Sequence, residues 1–338
     1  MKTLSFLRSL VLTCSCLVPL AGAGAADLPH PLLGRWALTI PGGGAGWLGV
    51  EEQGGALKSS ILWGGGSVVP TQKTEADGKK LVITRESKNK IKKPDGKEET
   101  ETIKETITAE AEGEVLKLST VKDKSDGKPF YQASFTGRRI APLPPAPDLS
   151  KIKFGDPMPL FKGPGLAGWR LINPKDDNGW SLKDGILQNR VTKEKGKHYG
   201  NLRTNAEFED FKLTTEVRTL PNGNSGIYLR GIYEVQISES YGKPVDSHHM
   251  GALYSRITPS EAAEKPIGEW QTMEITLVQR HLTVILNGKK IINNQPITGC
   301  TGGALTSDET KPGPLYLQGD HTDVDYRNMV IRPVVGLQ

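Results

Sequence analysis

Apolar and polar residues alternate along most of this chain with the two-residue period of a β-strand, in short runs cut by Gly, Pro, Asn and Asp. Between residues 28 and 140 the segments GRWALTI, GWLGVEEQ, ALKSSILW, KLVITRE, TIKETITAEA, VLKLSTV and YQASFTGRRI each read as a strand. Their spacing predicts a meander barrel of about eight strands. After residue 158 the same texture resumes. Asp184-Gly185 in WSLKDGILQN and Asn287-Gly288 in LTVILNGKKII tolerate positive φ at both turn positions, which predicts two tight hairpins. About a dozen strands in this half point to two packed sheets, with a jelly roll as the expected version. The expected fold class is therefore all-β: a small N-terminal β-barrel followed by a jelly-roll β-sandwich.

Composition divides the chain further. APLPPAPDLS, residues 141–150, carries four prolines that fix φ and remove backbone donors, so an extended spacer is expected there. The first 26 residues have a basic start at Lys2 and Arg8, an apolar run from Ser9 to Leu20 and small residues at Ala21, Ala23 and Ala25. That is the pattern of an export signal cleaved near residues 23–26, and it predicts a periplasmic or secreted protein. The expected organisation is a signal at 1–26, a small barrel at 27–140, a Pro-rich linker at 141–157 and a jelly-roll domain at 158–335. A length of 338 residues suits two such cores.

Charge and cysteine content exclude several function classes. The net charge of +5 is spread out; even in the lysine-rich stretch 73–128, 14 Lys and Arg meet 13 Asp and Glu. A nucleic-acid partner is not expected from that balance. After the first residues no segment reaches the roughly 18 apolar residues of a membrane span. Cys14 and Cys16 leave with the signal, so Cys300 stands alone and no disulfide framework is expected. ITGCTGG around it matches no nucleophile motif, and a structural role is expected.

The stretch NSGIYLRGIYEVQIS, residues 224–238, sets an arginine, a glutamate and a glutamine into apolar strand. With a turn at Gly231, Ile227, Leu229, Val235 and Ile237 point into the sandwich while Tyr228, Arg230, Glu234 and Gln236 share the other face. EVQISE resembles the strand of laminarinase-like glucanases, whose E-x-D-x-E pattern supplies a nucleophile and an acid. Here Gln236 and Ser238 stand where that pattern has its second and third carboxylates, so the carboxyl pair that glycoside hydrolysis ordinarily needs is incomplete.

LLGRWALTI resembles the G-x-W start of lipocalin-like barrels, with Gly34 and Trp36 in the matching places. A longer series follows in the second half: LFKGPGLAGWRLI, WSLKDGIL, FEDFKLTTEVRTLPNGNSGIYLRGIYEVQI, GALY, KPIGEWQTMEI, VILNGKKI and LYLQGDHTDVDYRNMVIRPV. Taken in order from about Met158 to Pro333, these segments resemble the 3-keto-disaccharide hydrolase family of exported bacterial proteins. That resemblance implies a lectin-like jelly roll acting on glycosides already oxidised to a ketone at sugar C3. The ketone acidifies the C2 hydrogen; one base removes it, the glycosidic oxygen leaves by β-elimination, and water adds back. Such a site requires a base, donors to the enolate and an acid, and no carboxylate nucleophile.

Under that reading Glu234 is the first candidate for the base, with Arg230 and Gln236 positioned to bind the C3 oxygen and a neighbouring hydroxyl. His321 stands where the resemblance places a histidine, and suits either proton transfer. Gln318 and Asp320 share a face if the strand continues through Gly319, as sugar ligands or as orienters of His321. Asp320 as base with Glu234 as ligand is the exchanged alternative. Tyr228, Tyr254, Trp270 and His249 complete the expected substrate-binding set, and Trp180 is a further platform candidate. His248 and His249 with Asp246 raise a metal site, but adjacent histidines on an extended loop point apart, and neither metal nor cofactor is expected. The expected partner is a carbohydrate or glycoside substrate. The alternative function is a lectin-like protein that binds carbohydrate without catalysis.

Overall fold

The computed structural model describes residues 30–93, 98–124, 127–161 and 165–337. The export signal expected over residues 1–26 lies outside the described residues. Nine strands make the first sheet: β1 Gly34–Thr39, β2 Ala45–Gln53, β3 Ala56–Trp63, β4 Val69–Pro70, β5 Lys73–Asp77, β6 Lys80–Lys92, β7 Glu98–Glu112, β8 Val115–Asp123 and β9 Pro129–Arg139. Their order is β4-β3-β2-β1-β9-β8-β7-β6-β5, antiparallel throughout. The meander expected from the sequence forms, but with nine strands and without a closing ladder. Its ends meet through hydroxyls, Ser59 Oγ lying 2.8 Å from both Thr71 Oγ1 and Thr74 Oγ1. Between β4 and β5 the Thr71 amide donates to the Ser59 carbonyl at 3.0 Å and the Gln72 amide to the Thr84 carbonyl at 3.1 Å, so backbone bonds join the two ends as well.

The second half supplies β10 Ile152–Phe154, β11 Met158–Pro159, β12 Trp169–Leu171, β13 Trp180–Lys183, β14 Ile186–Asn189, β15 Leu202–Thr204, β16 Phe211–Thr219, β17 Asn224–Leu229, β18 Tyr233–Ser238, β19 Gln271–Val278, β20 His281–Leu286, β21 Lys289–Pro296, β22 Tyr316–Leu317 and β23 Val324–Leu337. Two sheets result. The larger runs β13-β14-β23-β16-β19-β20-β21 with β10 and β11 added against β23, and the smaller runs β12-β15-β22-β17-β18. Both expected hairpins form, with Asp184, Gly185, Asn287 and Gly288 all at positive φ. No described helix is long and apolar enough to cross a membrane.

The sandwich core follows from alternation. Phe211, Leu213 and Val217 of β16, Met273, Ile275 and Leu277 of β19 and Leu282 and Val284 of β20 face Ile227, Leu229, Val235 and Ile237 of the small sheet, all buried. Burying one such side chain contributes about 1.5–3 kcal/mol. The first sheet has its own core around Trp36, Leu38, Leu48, Ile61, Ile83, Ile107 and Leu116.

The described residues from 31 to 337 nevertheless form one compact unit. In β2 every residue from Ala45 to Val50 is buried. Leu48 and Val50 belong to the first core, whereas Ala45 and Trp47, with Leu62 and Ile140, belong to the sandwich core. A run buried on both faces reads as continuous apolar sequence, which is what AGWLGV is. The proline segment is also tied down: Arg280 donates to the carbonyls of Ala141 and Pro142, and Asn294 donates to Pro147 at 2.9 Å.

Candidate active site

The hairpin β17–β18 carries the polar face. Tyr228 lies opposite Glu234 and Gly226 opposite Gln236, so Tyr228, Glu234 and Gln236 share the side turned away from the sandwich core, as alternation requires. β22 pairs with β17 and adds Tyr316, whose ring stacks on Tyr228 at 3.8 Å. Glu234 bends across Gly226. A Cβ there would sit 2.4 Å from Glu234 Oε1, so only glycine leaves room for the carboxyl.

Although it points out of the core, Glu234 is only 4% exposed. Its Oε2 lies 2.8 Å from the Tyr228 hydroxyl, which is also 2.8 Å from the Gly302 carbonyl. Burial pushes the Glu234 carboxyl up to about 8, against the pull of Tyr228 and His321 and with Asp320 adding to the rise. These influences put Glu234, Asp320 and His321 within electrostatic reach of one another.

His321 and Asp320 are half-exposed and hydrogen-bonded to each other, Nδ1 to Oδ1, at 2.6 Å. That bond, with the charges of Asp320 and Glu234, raises the imidazole above its ordinary value against the opposing effect of burial. With Nδ1 committed to Asp320, Nε2 is the nitrogen left for proton transfer. Both residues line a cleft of about 730 Å³ together with Asp176, Lys193, Tyr199 and Asn222. A neighbouring cleft shares Asn222 and is bordered by Asn224, Glu239 and His248.

β22 ends at Leu317, so Gln318 and Asp320 are not two positions of one continuing strand. Other groups fix the segment instead. Asn201 accepts from the Gly319 amide at 2.8 Å, Asn189 donates to the Gly319 carbonyl at 2.9 Å, and Thr322 Oγ1 bridges the amide and carbonyl of Asn224. Trp180 is buried, donates to Gly200 at 2.9 Å and packs beneath Gly319, so it supports this segment from below.

Several expected substrate contacts lie elsewhere. Arg230 leaves the strand in a left-handed turn, φ 54°, and spends its guanidinium on the carbonyls of Glu309 and Lys311. Alternation fails there because the strand stops at Leu229. Trp270 lies over the outer face of the large sheet, with Arg218 and Arg327 across its ring at 4.7 and 4.1 Å. His249 is buried with Nε2 2.7 Å from Glu264. Its neighbour His248 turns the other way, to Ser67 Oγ at 2.8 Å. Tyr228 is buried under its stack with Tyr316, and its hydroxyl serves Glu234.

Tyr254 stays beside the site, half-buried, its amide donating to the Glu234 carbonyl at 3.0 Å and its ring edge-on to His248 at 4.8 Å. Gln236 donates to Asn224 at 3.1 Å, and the amide oxygens of Gln236 and Gln318 are buried without a partner among the described residues. An unmet buried acceptor costs about 1–3 kcal/mol. Sequence reading missed Tyr316 and Gly302. Tyr316 was within reach, two residues before Gln318 in the same alternation; Gly302 carried no signal. Cys300 is buried and free, its thiol pushed up to about 12 by burial, as a structural residue should be.

Comparison with known proteins adds the family. A family model described as a 3-keto-alpha-glucoside-1,2-lyase-like domain matches residues 156–332. No curated protein matches the chain. Solved structures similar to it include three candidate glycosyl hydrolases from Parabacteroides distasonis ATCC 8503. The first is 28% identical, covering 58% of this chain and 94% of that one, with a TM-score of 0.43. The second is 20% identical over 53% and 94%, TM-score 0.46. The third is 26% identical over 53% and 100%, TM-score 0.41. With more than half of its length matched, the chain belongs to the family of 3-keto-α-glucoside-1,2-lyase-like domains, a glycosyl hydrolase-like domain.

Proposed function

We propose that this protein cleaves 3-keto-glycosides by elimination followed by hydration, with His321 as the base and Glu234 as the acid. The observation that carries the reading is the pairing of opposite environments. A buried carboxyl raised to about 8 holds its proton at neutral pH, within electrostatic reach of an imidazole whose Nδ1 is fixed by Asp320. This exchanges the order favoured by sequence, in which Glu234 is the base.

In the proposed reaction His321 Nε2 takes the hydrogen from C2. The C–H electrons form the enolate with the C3 carbonyl, which collapses to a C1=C2 double bond and expels the glycosidic oxygen. Glu234 gives its proton to that oxygen. Water then adds at C1 and a proton returns to C2, completing hydrolysis without a covalent enzyme intermediate. Asp320, bonded to His321, is not free to act as the second carboxylate of an ordinary glycosidase. The buried amide oxygens of Gln236 and Gln318 are acceptors for sugar hydroxyls, and Tyr254 is the adjoining ring.

Turnover of a 3-keto-glycoside in heavy water tests this. Deuterium at C2 of the released sugar is expected, and its absence with turnover intact rejects elimination. Saturable binding of unoxidised glycans with no product from keto-substrates would instead identify a lectin-like module.

The pH profile follows from the two groups. His321 must be neutral, so kcat/KM rises as pH climbs through its raised pKa, above the ordinary 6.5. Glu234 must be protonated, so activity falls again through about 8. A narrow bell is expected between those limbs. Activity that climbs steadily past pH 9 would assign Glu234 to the base instead.

A further inference from the structure

The loop at residues 299–303 crosses the face that holds Glu234, and the first sheet grips it from the other side. The Cys300 thiol lies 3.9 Å from the Gly46 carbonyl, and the Gly303 amide donates to the Gly64 carbonyl at 3.1 Å. Arg256 stacks on Trp47 at 4.5 Å and donates to the Cys300 carbonyl at 2.7 Å. Gly302 is pressed so closely that a Cβ would come within 2.1 Å of the Gly66 oxygen. On its inner side the same loop meets two phenols. Tyr316 donates to the Gly303 carbonyl at 2.9 Å, and the Tyr228 hydroxyl lies between the Gly302 carbonyl and Glu234.

A phenol has one proton to give, and a backbone carbonyl can only accept. When Tyr228 donates to Gly302, its contact with Glu234 has to run the other way, from a protonated carboxyl to the phenolic oxygen. An ionised Glu234 would have to draw the Tyr228 hydroxyl's hydrogen bond away from the Gly302 carbonyl, which the first sheet holds in place. We propose that the N-terminal sheet, by fixing the Gly302 carbonyl on Tyr228, keeps the Glu234 carboxyl protonated and so makes Gly302 a positioning residue for the proton donor. This rests on the reading of Glu234 as the acid and assigns the first sheet a part in the chemistry of a site outside it. Burial acts in the same direction, as does Asp320 from the segment after β22. A Tyr228 hydrogen bond given to the carboxyl opposes, as does His321, and Tyr316 and Tyr326 are the remaining titratable groups facing the carboxyl.

The test uses the full chain and needs no substrate. The infrared band of the protonated Glu234 carboxyl, assigned by difference against Glu234→Gln, is followed with pH in the wild type and in Gly302→Ala. The added methyl pushes the loop off Gly66. Titration of Glu234 is expected to fall by about one pH unit or more, a roughly tenfold greater ratio of ionised to protonated carboxyl near neutrality. An unchanged titration in folded Gly302→Ala overturns the proposal. If that variant does not fold, Trp47→Leu is read in the same way, since it loosens the clamp and leaves Gly302, Tyr228 and Glu234 unaltered. Failure of the wild type to turn over 3-keto-glycosides sinks the proposed reaction but not this result. With an active enzyme, Gly302→Ala also moves the falling limb of the pH profile downward, which a merely structural defect would not do.

Discussion

Replacing His321 by alanine is expected to lower kcat/KM on a 3-keto-glycoside by about 10²- to 10⁴-fold, the usual contribution of a positioned proton-transfer group. The protein itself should be little affected. The imidazole is half-exposed, and its resolved partner is the adjacent Asp320, so its loss leaves no buried group unpaired. Substitutions of that kind usually stay within about 0.5 kcal/mol. Melting temperature and circular dichroism therefore remain near wild type while turnover collapses. C2 deuteration of recovered substrate should disappear along with product, because both require the same proton abstraction. Added imidazole restores part of the rate if the cleft admits it. Turnover at the wild-type level in His321→Ala removes the proposed base.

Glu234→Gln should separate activity from stability in opposite directions. The amide has no proton to give to a departing oxygen, so kcat falls by about 10²–10⁴ for a sugar or alkyl leaving group. The loss should shrink for a leaving group such as 4-nitrophenol, which departs without protonation. A base role for Glu234 predicts an equal loss for both, and that comparison decides between the assignments.

Stability should rise. The folded carboxyl titrates near 8, above the 4.5 of an unperturbed glutamate, so the folded state binds the proton more tightly than the unfolded state. For an acid shifted upward the sign is destabilising. The penalty is absent below about pH 4.5, grows as pH climbs, and levels off above about 8. At pH 7 it amounts to about 3 kcal/mol, which glutamine escapes. Melting temperature in Glu234→Gln should increase by several degrees at pH 7 and scarcely at pH 4. Equal stability of the two proteins at both pH values would show that the carboxyl is not perturbed in this way.

Much of the fold was legible because strand and turn signals are local. Period-two alternation identified the sheets, and Asp184-Gly185 and Asn287-Gly288 marked hairpins whose backbone requires positive φ. Alternation also put Tyr228, Glu234 and Gln236 on one face correctly, since their register is set within a single hairpin. It failed at Arg230, where the strand gives way to a left-handed turn, and at Gln318 to Asp320, where β22 stops and asparagines from distant segments take over. Trp270 and His249 were misplaced for a related reason. An aromatic ring or an imidazole in a sugar-binding motif looks the same in sequence whether it faces the cleft, the opposite sheet face or a buried glutamate.

The sequence alone determined the all-β character, the family and the presence of one carboxyl on the β18 face. It could not determine that carboxyl's chemistry. Whether Glu234 is an acid or a base depends on how far it is removed from water and which way one phenolic proton points. Those depend on Tyr316, on the carbonyl of Gly302 and on a glycine loop near residue 66, separated from Glu234 by tens to hundreds of positions. Proximity of that kind is created only when the first sheet packs onto the sandwich, and no local pattern encodes it.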